Sequence, residues 1–161
     1  MDQSSLQPIH DISHPLQIRY AATGDEVKLA DLMTQLGYPC TSKEMKGRLD
    51  LWLSGEQRSA LFVAVKDNEI AGFIAVIISH WFHKNRPVAR ITSLCIDQAH
   101  RRQGIGSLLL KAAHTYAKQQ GCETIELTSS VRRAQDGTHD FYRAHGYIEM
   151  NDQTKYMSKV L

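Results

Sequence analysis

Two glycines and two arginines lie close together in residues 101–107, which read Arg-Arg-Gln-Gly-Ile-Gly-Ser. Glycine has no Cβ, so the backbone at Gly104 and Gly106 can turn tightly and approach a ligand closely. A helix that begins here offers unpaired N–H groups and the positive end of its dipole, which together bind a pyrophosphate. Arg101 and Arg102 add charged donors for the same oxygens. The segment therefore predicts a phosphate-binding loop.

The spacing of this loop differs from two common nucleotide-binding motifs. No Gly-Lys-Ser/Thr sequence follows it, which excludes a P-loop. Leu109 stands where a dinucleotide-binding GxGxxG motif has its third glycine. On these residues alone, a plain strand-to-helix turn with solvated arginines is the alternative interpretation.

The loop needs a strand before it and a helix after it, and the flanking residues predict both. An apolar run predicts a strand over residues 89–97, and a helical stripe predicts a helix over residues 104–120, ended by Gly121. The stripe consists of Ile105, Leu108, Leu109, Ala112, Ala113 and Tyr116. A further strand over residues 124–129 completes a β-α-β unit, which is expected to be right-handed and parallel.

Three more strands and two more helices are predicted before this unit. Alternating residues predict a strand over residues 16–21, and two apolar runs separated by Asp67-Asn68 predict a hairpin over residues 60–66 and 69–79. Capping-box spacing predicts helix starts at Thr23-Gly-Asp-Glu26 and Thr41-Ser-Lys-Glu44. Gly37 ends the first of these helices, and the second continues through Leu53.

The C-terminal segment predicts a short helix with Phe141 and Tyr142 that stops at Gly146, and a last edge strand over residues 155–160. The element order is then β-α-α-β-β-β-α-β-α-β. Antiparallel hairpins followed by a parallel crossover predict an α/β (mixed α+β) fold with a central twisted mixed sheet and helices on both faces. Residues 1–15 are expected to form a flexible tail, and residues 16–161 a single domain.

Two motifs on this element order resemble the GNAT superfamily of N-acyltransferases. The family motif Arg/Gln-x-x-Gly-x-Gly/Ala is matched by Arg101, Gly104 and Gly106. A second signature, Ala-x-x-Phe-Tyr-x-x-x-Gly-Tyr/Phe, is similar to residues 138–147, where Thr138 replaces the usual alanine. The pair is more specific than either motif alone, and the element order fits the family from about residue 16 to residue 161.

The resemblance implies an acyl-CoA site between two splayed parallel strands, residues 89–97 and 124–129. The pantetheine arm of the CoA is expected to pair with the first strand like an added strand, and a bulge there to aim one N–H at the thioester carbonyl. The pyrophosphate is expected at the amides of residues 102–107. The implied donor-binding residues are Leu94, Cys95, Ile96, Arg101, Arg102, Gln103, Gly104, Ile105, Gly106 and Ser107.

Tyr142 matches the family's tyrosine that acts as general acid toward the leaving thiolate. Against a thiol of pKa about 8.5, an unperturbed tyrosine near 10 is the weaker acid, so proton transfer is uphill by roughly 2 kcal/mol unless the site lowers its pKa. Positioning of the sulfur is a further role for the phenol. A tyrosine that only packs on a short helix is the alternative interpretation.

No general base is evident. Many relatives place a Glu on the central strand near position 90 or 93, where this sequence has Arg90 and Ser93. A base, or a water chain to solvent, must remove a proton from the amine, at a cost of roughly 4–5 kcal/mol at pH 7 for a pKa of about 10.4. The candidates are His80, His83, His139, and Ser93 through a water. Each is equally interpreted as a surface or hydrogen-bonding residue.

The aromatic and cysteine residues allow alternative roles. Trp81 and Phe82 are interpreted either as walls of an acceptor pocket or as packing residues of the hairpin or of a subunit contact. The pair His80 and His83 lacks an obvious third ligand, so no metal site is predicted. Cys95 is interpreted as a small core residue rather than a nucleophile.

Charge and composition narrow the partners. The net charge is +2, which gives no field that attracts nucleic acid or an acidic membrane. The three cysteines form no CxxC pair, so neither a disulfide framework nor a zinc site is predicted, and reduced thiols in the cytoplasm are expected. The N-terminal residues lack the apolar region of a secretory signal, and no apolar run has membrane-spanning length.

The sequence therefore predicts an acetyl-CoA-dependent N-acetyltransferase that acts on a primary amine of a small molecule by direct attack in a ternary complex, without a metal. Residues 125–133 and 139–142 resemble the branch that acetylates small amines, aminoalkylphosphonates among them. A non-catalytic CoA-binding regulatory module and a protein N-acetyltransferase are the alternatives. No nucleic acid or membrane partner is expected, and a homodimer is an expectation from the family only.

Overall fold

The computed structural model describes residues 15–150 and 157–160. Their helices and strands are β1 (Gln17–Tyr20), α1 (Glu26–Leu36), α2 (Ser42–Leu53), β2 (Ser59–Lys66), β3 (Glu69–Ser79), β4 (Val88–Ile96), α3 (Ile105–Gln119), β5 (Thr124–Leu127) and α4 (Thr138–Ala144). Short 3-10 turns cover Gln98–His100 and Val131–Asp136. The described residues form two compact units, which divide between Leu127 and Thr128. The single domain over residues 16–161 stays a prediction.

The first unit contains a five-stranded mixed sheet in the order β1-β2-β3-β4-β5. The first three pairings are antiparallel, and β4 and β5 are parallel, which confirms the predicted mixed sheet. Asp67 and Asn68 connect β2 and β3 with φ values of +50° and +64°. Two residues with positive φ match the right-handed twist of the strands that they join, so the predicted hairpin is confirmed.

Helices cover both faces of this sheet, as predicted. Val63 of β2 belongs to a buried cluster with Leu29 of α1 and Leu49 of α2. Its neighbour Phe62 points to the opposite face, where its ring meets the edge of Tyr116 of α3 at 6.2 Å. Alternation along one strand thus assigns α1 and α2 to one face and α3 to the other.

The capping box that the sequence predicts for α2 is present. The Thr41 hydroxyl accepts a hydrogen bond from the Glu44 N–H at 3.2 Å, and the Glu44 carboxylate accepts one from the Thr41 N–H at 2.7 Å. These two bonds satisfy backbone donors that a helix start leaves unpaired. The prediction for this helix start is confirmed.

The capping box predicted at Thr23 is wrong, because α1 begins two residues later with Asp25 as its N-cap. The Asp25 carboxylate accepts hydrogen bonds from the Ala22 N–H at 2.8 Å and from the Arg19 guanidinium at 2.8 and 2.9 Å. These bonds shape the turn before the helix, and the Glu26 carboxylate accepts from the N–H of Gly24 rather than of Thr23. Burial alone would raise the pKa of Asp25, but the hydrogen bonds that its carboxylate accepts from Arg19 and Ala22 together outweigh this effect and lower the pKa.

The second unit contains the 3-10 turn and α4. The helix carries Phe141 and Tyr142 and ends before Gly146, as predicted. The predicted final strand is wrong for Met157 to Val160, which are exposed and form no strand. Its first two residues, and positions 1–14 of the predicted tail, lie outside the described residues.

Candidate active site

The predicted loop leads from β4 into α3 through two residues with positive φ. Arg102 has a φ of +61°, and Gly104, the N-cap of α3, has a φ of +79°. A Cβ built on Gly104 meets no atom within 4 Å, so glycine is required here by backbone conformation and not by crowding. No side chain caps α3 at Gly104, and the backbone N–H groups at a helix start are donors of the kind that bind an anion.

Hydrogen bonds tie the start of this loop to α1. Asp97 is only 5 % exposed, and its carboxylate accepts from the Ala99 N–H at 2.9 Å and from Lys28 Nζ at 2.5 Å. The Gln98 N–H donates to the Gln35 side chain at 3.0 Å. The bond from Lys28 holds the pKa of Asp97 below its ordinary value, with a further contribution from the Ala99 N–H. The helix that lines the cavity described below therefore also positions the loop.

The register of β4 determines which backbone groups face the parallel partner. β4 pairs with β5 only over Val88 to Ile91, and in the described residues no strand pairs with β4 beyond that point on this side. The Asp97 N–H donates to the Ala71 carbonyl of β3 at 2.9 Å. Because bonded and non-bonded positions alternate in an antiparallel ladder, Cys95 directs its N–H and C=O toward β3 as well.

Leu94 and Ile96 therefore direct their backbone groups toward the open side of β4. The Ile96 carbonyl accepts from Arg101 Nε at 3.3 Å. The sequence predicts that three residues of this strand bind the donor. The register indicates that only two of them, Leu94 and Ile96, direct backbone groups to the side where a donor could pair. Cys95 is buried, and its thiol lies 3.3 Å from the Leu32 carbonyl, which confirms its interpretation as a core residue.

A β-bulge lies at Thr92, two residues before this open edge. Ser93 is paired with Ala75 and Ile91 with Val76, so Thr92 has no partner residue in the register of β3. A bulge re-aims the neighbouring side chains and opens the ladder locally. The sequence resemblance implies a bulge on this strand, and the structure places it where β4 and β5 separate.

A cavity of about 120 Å³ lies beside the bulge, between the sheet and the two N-terminal helices. The helices contribute Leu29, Met33, Met45, Arg48, Leu49 and Trp52. The sheet contributes Leu61, Phe73, Ala75, Thr92 and Ser93. The walls are thus mainly apolar, and the polar groups sit at the bulge and on one helix.

Glu126 is a residue that sequence reasoning did not single out. It lies opposite Arg90 in the parallel register, and its carboxylate is 2.6 Å from the Arg90 guanidinium. Arg90 faces Ile77, two residues from Ala75 on β3, so the ion pair lies on the same sheet face as the cavity. Position 90, near which the family resemblance implies a carboxylate on β4, carries Arg90, but the adjacent strand β5 supplies a carboxylate at Glu126. Glu126 can be recognised as a candidate only when the register of β5 against β4 is known.

The candidate bases differ in their surroundings. Ser93 lines the cavity, whereas His80 lies 2.7 Å from an Arg58 nitrogen and the His83 ring packs beside Trp81. His139 belongs to the second unit, where its ring lies 3.1 Å from the Ser129 hydroxyl. The structure thus brings Ser93 to the cavity and holds the histidines in other contacts.

Trp81 and Phe82 do not line this cavity, and Phe82 is fully exposed. Trp52 of α2 is the tryptophan that forms its wall. Sequence analysis did not identify Trp52, because the apolar periodicity of a helix does not show which residues of the sheet the helix packs against.

Tyr142 lies in α4 between the rings of Phe141 and Tyr147, at centroid distances of 5.3 and 5.5 Å. Burial raises its pKa to about 12, and the positive charge of Arg133 opposes this effect. The phenol therefore keeps its proton at neutral pH. The shift is opposite to the lowering that easy proton transfer to a thiolate needs.

Two further properties of the described residues concern metal ions and membranes. In residues 15–150 and 157–160, no three His, Cys, Asp or Glu side chains form a group that could hold a metal ion. No helix in the same part of the chain is long and apolar enough to cross a membrane.

Comparisons with known proteins agree with these features. The model of the acetyltransferase (GNAT) family matches residues 28–147. An uncharacterized N-acetyltransferase of Methanocaldococcus jannaschii is 31% identical over 100 residues, which cover 61% of this chain and 43% of the relative, so the match spans less than half of that protein. The aminoalkylphosphonate N-acetyltransferase of Salmonella typhimurium is 26% identical over 145 residues, which cover 85% of this chain and 88% of the relative.

A solved structure of an aminoglycoside N-acetyltransferase in complex with CoA has the same fold. Its TM-score is 0.79 at 18% identity, with coverage of 95% of this chain and 100% of that chain. At this identity the likeness concerns the fold alone.

Proposed function

This chain belongs to the GNAT family of acetyltransferases, and from that premise we propose that it transfers the acetyl group of acetyl-CoA to the primary amine of a small molecule. The observation that carries the proposal is that three features follow one another along the chain from β4 into α3. The bulge at Thr92 borders the cavity, the open edge at Leu94 and Ile96 follows, and the loop at Gly104 comes next.

The open edge of β4 supports binding of an extended donor. Leu94 and Ile96 offer N–H and C=O groups with the spacing of a strand, and a pantetheine arm has amide groups that can pair with them. The first turn of α3 binds the pyrophosphate with its N–H groups, and Arg101 and Arg102 neutralise its charge. With the pyrophosphate at α3 and the arm along β4, the thioester end of the arm is expected to lie toward the bulge and the cavity.

The acceptor amine then attacks the thioester carbonyl from the cavity. A C–N bond forms, the C–S bond breaks, and the amine loses one proton while the sulfur gains one. The carboxylate of Glu126 is on the same face of the sheet as the cavity, so we assign it the role of receiving the amine proton, through water. An N–H freed by the bulge stabilises the negative charge on the carbonyl oxygen.

From the resemblance of residues 138–147 to the family signature, we propose that Tyr142 acts on the leaving sulfur. With a pKa of about 12, complete proton transfer to a thiolate of pKa about 8.5 is uphill by about 5 kcal/mol. A buried phenol that keeps its proton is instead a good hydrogen-bond donor to the developing thiolate. The proposed role is therefore stabilisation of the sulfur, with the final proton coming from solvent.

The test is acetyl-CoA binding by calorimetry together with thiol release in the presence of amines. The panel contains polyamines, aminoglycosides, amino acids, aminoalkylphosphonates and lysine peptides. Saturable binding and thiol release with a small amine support the proposal. Thiol release with lysine peptides alone favours a protein N-acetyltransferase, and binding without release for any amine favours a non-catalytic CoA-binding module.

A further inference from the structure

The size of the cavity limits the part of the acceptor that it encloses. Its volume is about 120 Å³, and it is partly open to solvent. The enclosed part of the acceptor is therefore a small group, and any larger part of the molecule extends outside the cavity.

The charge on the cavity wall indicates a second property of the acceptor. Of the residues that line the cavity, Arg48 is the one that carries a charge. Its guanidinium forms no hydrogen bond or ion pair with the residues that the structure describes, although the Glu44 carboxylate one turn earlier is close enough to interact electrostatically. Glu44 is already bound to the N–H and hydroxyl of Thr41 in the capping box. The positive charge of Arg48 therefore remains available to an anion.

The positions of the polar groups give the orientation of the ligand. Thr92 and Ser93 lie at the bulge next to the open edge of β4, so an amine that reacts with the donor has to reach this end. Arg48 projects from α2, on the helical wall. The space between them is bounded by apolar side chains, among them Phe73 and Trp52.

From these three observations we infer that the acceptor is a small amine that carries an anionic group, a phosphonate or a carboxylate, on a short apolar spacer. Arg48 binds the anion, and the amine points toward Thr92 and Ser93. This inference rests on the proposed function and names the substrate class of the same site. The guanidinium binds an anion with two parallel hydrogen bonds, which favours a flat or tetrahedral oxyanion over a hydroxyl group.

The experiment uses four two-carbon amines that differ only in the terminal group: phosphonate, carboxylate, hydroxyl and methyl. Binding in the presence of CoA is followed by the fluorescence of Trp52, in a Trp81→Phe background that leaves it as the single tryptophan. This readout needs no turnover. The two anionic amines are expected to bind at least about tenfold more tightly than the two neutral ones.

Three variants assign the preference to the predicted group. Arg48→Gln is expected to weaken binding of the anionic amines by about tenfold or more and to change the neutral amines less than about twofold. Arg48→Lys keeps the charge and is expected to retain part of the preference. Lys43→Gln removes one exposed positive charge from the same helix, outside the cavity, and is expected to leave all four affinities unchanged.

Equal binding of anionic and neutral amines overturns the inference, and so does an Arg48→Gln variant that keeps the preference. Acetyl-CoA binding without detectable binding of any anionic amine overturns it as well, while the proposed transferase stays under test with larger amines. Failure of the proposed transferase function can be distinguished from failure of this inference, because the former appears as the absence of saturable acetyl-CoA binding.

Discussion

At the scale of single residues, Gly104 gives the most specific test of the donor loop. Its φ of +79° is unfavourable for any residue with a Cβ, although the space around that Cβ is open. Gly104→Ala is expected to cost about 1–2 kcal/mol, either as lost stability or as a distorted loop that binds acetyl-CoA more weakly. Calorimetric titration with acetyl-CoA and thermal unfolding measure the two effects.

Gly55→Ala is the matched control, since Gly55 has a φ of +76° and the same open surroundings but lies between α2 and β2. The two variants are expected to lose similar stability, and only Gly104→Ala is expected to lose acetyl-CoA affinity. An equal loss of affinity in both variants contradicts the assignment of the loop.

Tyr142 gives a second test at this scale. Tyr142→Phe is expected to lower kcat by about tenfold or more with little change in KM, because the hydrogen bond to sulfur is needed only as the thiolate leaves. Tyr147→Phe removes a neighbouring hydroxyl in the same unit and is expected to keep its rate. If both variants have equal rates, the role assigned to Tyr142 is wrong.

The pKa of Tyr142 also predicts a pH dependence. With a pKa of about 12 the phenol stays protonated throughout the accessible range, so Tyr142 is expected to cause no decline in rate up to pH 10. A decline in the pH–rate profile near pH 10 that disappears in Tyr142→Phe contradicts a buried phenol.

At the scale of elements, the ion pair between Asp97 and Lys28 couples α1 to the donor loop. Asp97→Asn is expected to lower the free energy of unfolding at pH 7 by about 1–3 kcal/mol, because the substitution removes the buried carboxylate that pairs with the Lys28 ammonium. Urea unfolding measures the change. Asp50→Asn breaks the exposed pair with Lys46 and is expected to cost less than about 0.5 kcal/mol.

The sign of the pH dependence follows from the lowered pKa of Asp97. A carboxyl whose pKa is lower in the folded state stabilises the protein above its ordinary pKa of 3.8 and loses that contribution as the pH falls through the folded value. The difference between the wild type and Asp97→Asn is therefore expected to be constant from pH 7 to 5 and to shrink below 3.8. A difference that grows below pH 4 contradicts this origin.

The elements also show what the sequence was able to predict. The hairpin at Asp67-Asn68 and the capping box at Thr41 depend on local chemistry, and both are confirmed. The predicted apolar stripe of α3 is confirmed in part: Ile105, Leu109 and Ala113 are buried, but Leu108 is 40% exposed, and the buried face also includes Leu110 and Ala117. The helix start at Thr23 was wrong because a contact from Arg19 decides which side chain shapes that turn. Local spacing carries no information about such a partner.

The candidate site was predicted less completely for the same reason. The donor loop was visible in the sequence because glycines and arginines at fixed spacing carry its chemistry. The open backbone at Leu94 and Ile96, the carboxylate of Glu126 beside Arg90, and the cavity wall at Trp52 each depend on the register of one element against another. Register across a sheet is set by all strands together and was not readable from any one of them.

At the scale of the whole molecule, the first unit contains the donor loop, the open strand edge and the cavity, and the second unit contains Tyr142. The family match extends from residue 28 to residue 147 and thus includes residues of both units. Catalysis is therefore expected to need the full chain.

The most direct test of the proposed activity is mass spectrometry of the acceptor after incubation of the full chain with acetyl-CoA that is carbon-13 labelled in its acetyl group. A small amine with an anionic group is expected to gain both labelled carbons, in an amount equal to the CoA that is released. Label that stays on CoA, or that appears as free acetate at a rate independent of the amine, contradicts the proposed activity.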